Sequence, residues 1–307
     1  MSVKGIRRGF TLLELVVVLT ILGAIGGTIG MLLLRQQRFY RGASELLYAR
    51  EGVRDALELL ATDIRGIATA DTVRLLADSA IEIFSNIGSS VVCHGVAENQ
   101  VGLPPALSSG NTLTSFVTQP DTGDLALFYH ASIANGSHWE RHRIAGFGPR
   151  SPASTCPSPS AFASADLAAD VHAFQLTLEA PLTSEVALGA PIRFIRRGRY
   201  SLYHASDGDW YLGYRRCNAL GASTCGSIQP LSGPYRPYSG DRSATGLLFD
   251  YFDAHGARLG WSSSPLEIAR VDISARAESR QHLTVEGRAY TPADSATLSI
   301  AIRNRWQ

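Results

Sequence analysis

Lysine is almost missing from this sequence: Lys4 is the single one in 307 residues. Beyond it there is no amine for a Schiff base, for a phosphate-binding Walker lysine or for covalent cross-links between subunits. Charge is sparse in general, at 18% Asp, Glu, Lys and Arg, with a formal net charge of +1. A chain this close to neutral has no electrostatic footprint for nucleic acid, and no nucleic-acid partner is expected. The usual catalytic signatures are missing as well: there is no GxSxG, HExxH, Walker A or GxGxxG stretch. HWERH, His138 to His142, is not a zinc-protease motif, because the glutamate must follow the first histidine directly and on a helix. It reads as a solvated strand with both histidines on one face. No metal ligand set, catalytic residue or enzymatic activity is expected.

Paired CxxC cysteines are also lacking, which excludes zinc ribbons and thioredoxin-like redox motifs. The four cysteines are Cys93, Cys156, Cys217 and Cys225. Cys217 and Cys225 bracket a short loop and read as a local disulfide, which leaves Cys93 for Cys156. That pairing requires an oxidising compartment; the alternative is four reduced thiols in a cytosolic protein. Asp207, Asp209, Asp250 and Asp253 lie at turns and offer oxygen ligands of the kind calcium takes, but without the order of an EF-hand loop. A turn role is expected for them and no cofactor is assigned. Asn135-Gly-Ser reads as a hairpin turn.

What the chain does have is one long apolar run. Leu15–Leu34 is 20 residues without a charge. At about 1.5 Å per residue, a helix of that length matches the roughly 30 Å hydrocarbon core of a bilayer. Lys4, Arg7 and Arg8 precede it, so the N-terminus is expected on the cytoplasmic side and everything after Arg35 outside. A cleaved secretory signal is the competing reading, with GAIGG as the cleavage site. Against it, the run continues past GAIGG into MLLL, and Glu14 stands in its opening. A carboxylate there costs free energy, on the order of 2.5–3.5 kcal/mol near a helix centre and less at the interface.

The stretch RRGFTLLEL resembles the class III leader of type IV prepilins and type II secretion pseudopilins: a short basic leader ending in glycine, then phenylalanine, then glutamate four residues on. The resemblance implies cleavage after Gly9 by prepilin peptidase and N-methylation of the new first residue, Phe10. It implies further that the subunit is assembled through its N-terminal helix into a type IV pilus or a secretion pseudopilus. The partners implied are other pilins and an inner-membrane assembly platform. In such a filament a buried carboxylate and a buried amine are each costly alone and far less so together. Glu14 of one subunit would then satisfy the Phe10 amine of its neighbour and fix the register. Calcium sites at turns occur in some secretion pseudopilins, so the aspartates named above keep that alternative.

Past Arg35 the apolar residues Ala43, Leu46, Val53, Leu57, Leu60 and Ile64 recur at three-, four- or seven-residue steps, one stripe of a helix. With no proline before Pro104, one helix is predicted from Phe10 to about Gly66. Gly23, Gly26, Gly27 and Gly30 serve either close helix packing or local loosening of the helix. The Asp63-x-Arg65 helix end resembles PilW-type minor pilins and J-type pseudopilins. So do the LLFDYFDAHG hairpin and a closing strand ending in Arg-Asn.

From Ala80 onward short alternating segments take over. Strands are predicted at 80–85, 125–131, 139–147, 173–180, 191–205, 210–217, 246–254, 268–279 and 297–305. Turns are predicted in ASDGDW and DAHGAR, and loops over 104–115 and 148–164. Trp210, Tyr211 and Tyr214 are expected in the core. The fold class is therefore α+β and pilin-like: a leader over 1–9, a helix over 10–66 (membrane-spanning to 34, amphipathic beyond) and a large antiparallel β head over 67–307.

Overall fold

The computed structural model describes residues 11–67, 75–95, 99–131, 136–168, 171–183, 186–218, 224–260, 263–279, 283–285 and 288–302. Gly9, Phe10 and Asn135 lie outside the described residues, as do the leader and the Arg-Asn pair of the closing strand.

A single helix, α1 (Leu12–Arg65), runs unbroken for 54 residues. Thr11 caps its start and Gly66 its end, with Arg65 in the last turn, where a cation suits the helix dipole. The predicted stripe faces the head. Val53, Leu57, Leu60 and Ile64 are buried, while Ala43 and Leu46, near the head's rim, are half-buried. Leu12 to Leu34 are exposed almost throughout.

The head is built from β1 (Leu75–Leu76), β2 (Ala80–Val91), β3 (Gln100–Leu103), β4 (Ser115–Phe116), β5 (Leu125–His130), β6 (His138–Arg150), β7 (Ala173–Leu178), β8 (Pro191–His204), β9 (Trp210–Arg216), β10 (Gln229–Tyr235), β11 (Leu247–Phe252), β12 (Arg270–Glu278), β13 (Leu283–Val285), β14 (Arg288–Tyr290) and β15 (Ala293–Ala301), with a four-residue helix α2 (Pro152–Thr155). Thirteen strands join one sheet, and every pairing is antiparallel. β8 is its spine. It pairs with β2 along one edge and with β5 and then β9 along the other.

Two apolar layers follow from this course. The larger joins the inner face of α1 to β2, β8 to β12 and β15, with Leu60, Ile64, Ile83, Phe249 and Ile273 at its centre. The second lies between β5, β6, β8 and the β3–β7 pair, around Phe128, Phe194 and Leu176. Alternation of buried and half-buried residues is strict in β12, because only one face of that strand meets the helix layer.

All nine predicted strands form within the described residues (303–305 of the last lie outside them), and both predicted turns are hairpin turns with Gly208 and Gly256 at positive φ. The differences have local causes. β10, sequence QPLSGPY, carries Pro230 and Pro234, which argue against a strand; it joins the sheet through two register shifts against β9. The stretch 148–164 is only partly loop, since β6 continues to Arg150 and Pro152 opens α2. Trp210 and Tyr214 pack against the helix layer as expected, whereas Tyr211 is half-buried outside it, beside Tyr203 and hydrogen-bonded to Asp207.

Both disulfides pair as read from the spacing. Cys93–Cys156 closes 63 residues of sequence and Cys217–Cys225 closes 8. The first ties the end of α2 to the segment that follows β2, where the Cys93 N–H donates to the Gly102 carbonyl of β3. At Gly102 a Cβ would lie 2.0 Å from the Thr155 carbonyl oxygen, so the strand approaches the stapled segment too closely for any side chain.

Candidate functional site: the N-terminal helix and its seat on the head

Glu14 opens α1 as half of a capping box. The Thr11 hydroxyl accepts from the Glu14 backbone N–H at 3.3 Å, and the Glu14 carboxylate accepts from the Thr11 N–H at 3.0 Å. The hydroxyl of Thr11 donates to the same carboxylate at 3.1 Å. Two orphan N–H groups of the first turn are thereby satisfied within the chain. Sequence reading singled out Glu14 for its charge and missed this second use, although T-x-x-E ahead of an apolar run is its signature.

Beyond Glu14 the most apolar part of α1 is not buried in the protein. It is long and apolar enough to cross a membrane. It continues without a break into the second half of α1, which is fixed to the head at four polar points. Ser279 donates its hydroxyl to Glu45. Arg50 lies 3.6 Å from Asp294. Tyr235 donates to the Gly52 carbonyl at 2.6 Å, and Tyr200 donates to the carboxylate of Asp63.

Burial pushes the Asp63 carboxyl up, against the lowering effect of the Tyr200 hydrogen bond. Burial likewise pushes the Tyr235 phenol up to about 12, so it stays a donor at any physiological pH. Arg65, the partner of Asp63 in the motif, is not part of this seat. It lines an open groove of about 530 Å³ between α1 and β15, with Leu57 and Leu298 on its floor.

The other candidates for chemistry find structural partners. HWERH is not a solvated strand face. Glu140 bridges two imidazoles, His130 and His142, at 2.6 Å each, and accepts from Thr183 at 2.8 Å. Both imidazoles are buried, and His138 stacks on His130 across the strand pair. The loop that carries Leu182 and Thr183 covers this face, which no local pattern in β6 announces. Burial raises the Glu140 carboxyl, but the Thr183, His142 and His130 contacts outweigh it and hold the group below the ordinary glutamate range.

The turn aspartates separate into different tasks. Asp207 accepts from the Asp209 N–H and from Tyr211; Asp253 accepts from the N–H groups of His255 and Ala257. Asp250 is not at a turn: it lies inside β11, opposite Asp272, and pairs with Arg242 and Arg258. Glu82 lies beside Cys217 and Cys225, but those sulfurs are spent in the disulfide and offer no thiolate.

The prokaryotic N-terminal methylation motif matches over residues 5–30, which take in the end of the leader, Glu14 and most of the apolar run. This chain has a type IV pilin-type N-terminus. The match supports the type IV pilin and pseudopilin class, and the pilin-type N-terminus is joined to a pilin-like α+β body: one long helix, apolar at its start, seated on an antiparallel sheet. No curated protein and no solved structure matches the chain.

Proposed function

We propose that this protein is a minor pilin or pseudopilin, a structural subunit rather than an enzyme. It is inserted in the inner membrane with Lys4, Arg7 and Arg8 on the cytoplasmic side and the head outside. Prepilin peptidase cuts after Gly9, and Phe10 is N-methylated. The domains are then the leader 1–9, the helix 10–66 and the head 67–307. The assembly platform passes the subunit to other pilins, where Glu14 meets the amine of a neighbour's Phe10. A large head on a rarely used subunit suits initiation or the tip of the filament.

The observation that carries this reading is the continuity of α1. Its buried residues Ala49 to Ile64 belong to the head's own core, and its exposed apolar start belongs to the same unbroken helix. A simple tether needs about 20 apolar residues and a flexible link. A subunit that is held by its helix among other helices needs the head fixed relative to that helix, and the seat described above supplies that. In cells that build the filament, the chain is expected in both the inner-membrane and the sheared-filament fractions. A chain confined to the membrane fraction would make α1 only a tether for an exported enzyme or binding module.

A further inference from the structure

The three charged residues between Glu14 and Glu45 are all arginines: Arg35, Arg38 and Arg41. They begin at the residue that ends the apolar run. Among the described residues their side chains make no hydrogen bond or ion pair, and all three are exposed. Several arginines of the head are paired instead: Arg196 and Arg216 share Asp124, and Arg197 and Arg199 share Glu82. The first acid beyond the three arginines, Glu45, is already held by Ser279.

Their placement on α1 is specific. At 100° per residue the three arginines fan over an arc of about 120°, and Phe39 and Tyr40 between them extend the ring to roughly 260° of the helix circumference. From Arg35 to Arg41 the helix rises about 9 Å, close to the roughly 5–8 Å left on each side between a hydrocarbon core and the full bilayer thickness. Phe39 and Tyr40 are both about 70% exposed, their rings edge to face at 6.0 Å. Large aromatics beside cations at the end of a span are what the headgroup layer favours.

We propose that Arg35, Arg38 and Arg41, with Phe39 and Tyr40, form a collar that binds the phosphates of anionic phospholipids in the leaflet on the head's side of the membrane. This rests on the reading that α1 spans the bilayer. A guanidinium fork matches a phosphate, and three uncompensated positive charges favour a lipid with net negative charge over one whose own ammonium neutralises it. The collar lies between the hydrocarbon and the first contacts of the head, so it holds the head at a fixed height. To leave the bilayer for a filament, the subunit must give up these lipids.

The test compares the full chain with its Arg35→Gln/Arg38→Gln/Arg41→Gln variant. Each is reconstituted in phosphatidylcholine vesicles doped with spin-labelled phosphatidylglycerol or spin-labelled phosphatidylcholine. Glutamine keeps the helix, and Lys4, Arg7 and Arg8 are common to both chains, so the difference reports the collar alone. The motionally restricted fraction of phosphatidylglycerol should exceed that of phosphatidylcholine by about threefold or more around the native chain at low salt. It should fall toward parity in the variant and in high salt. Equal selectivity in both chains, with both resistant to carbonate extraction, would overturn the collar and leave the membrane span intact. A dimer that depends on the arginines, found together with equal selectivity, would instead assign them to carboxylates of a second copy. A native chain that carbonate extracts would overturn the span and the collar with it.

Discussion

Glu14→Gln is expected to leave α1 capped and inserted, yet to lower incorporation into a filament by about tenfold or more. Glutamine replaces glutamate in a capping box, because its side-chain oxygen still reaches the Thr11 N–H. What it lacks is charge. In the assembled state the amine at Phe10 would be buried without a counter-charge, at a cost of about 3–5 kcal/mol when one partner of a buried pair is removed. A third of that is already tenfold in an equilibrium. Glu14→Ala removes the carboxylate half of the capping box as well, so the Thr11 N–H loses its acceptor while the Thr11 hydroxyl keeps its bond to the backbone N–H of residue 14. The glutamine variant thus separates the two uses of one carboxylate. Immunoblots of membrane and sheared fractions read the outcome. If the glutamine chain entered the filament at the native level, Glu14 would be a helix cap only.

Glu82→Ala is expected to cost the head about 3–5 kcal/mol, which for a body of this size lowers Tm by about 6–20 °C. Glu82 is about 1% exposed and stands directly opposite Arg199 in the β2–β8 register. One of its oxygens accepts from Arg197 Nε at 2.5 Å and the other from Arg199 Nη2 at 2.7 Å. Arg197 is itself 4% exposed, so the alanine chain would bury a guanidinium without its carboxylate.

The pH dependence of this pair has a definite sign. Burial raises the Glu82 carboxyl, but its bonds to Arg199 and Arg197 prevail, and the net position is below the ordinary value. A depressed carboxylate stabilises above its unfolded pKa, and the contribution is lost as pH falls through the folded one. The native head should therefore lose this stabilisation on acidification below the ordinary glutamate range, and the alanine variant should lack that component of the pH profile. Thermal melts across pH read both effects. A Tm within about 2 °C of the native chain's at neutral pH would show that the pair contributes little net stability.

Much of this architecture is legible in the sequence where the information is local. The helix, its buried stripe and the nine strands follow from periodicity, and the disulfide pairing follows from the bracketed loop. β10 is not legible, because its prolines contradict strand chemistry and only the bulged pairing with β9 accommodates them. The seat of α1 is also hidden: Tyr200 and Asp63 are 137 residues apart, and Tyr235 and Gly52 are 183 apart. No spacing rule links such pairs. HWERH was half legible. Alternation places His138, Glu140 and His142 on one face, but whether that face meets water is decided by the distant segment holding Thr183. At the N-terminus Glu14 stands out because a carboxylate in an apolar run has to be explained, whereas its bond to Thr11 is inconspicuous because capping threonines are common.

The most direct test of the pilin reading is the N-terminal peptide of the mature protein, by mass spectrometry of membrane and sheared fractions. A chain that begins at N-methylated Phe10 is the predicted result, and its recovery from sheared material would add incorporation into a surface filament. A chain that begins near Thr28 would mean cleavage as an ordinary secretory signal. α1 would then lose both Glu14 and its membrane span, and the account of this protein as a filament subunit would be contradicted.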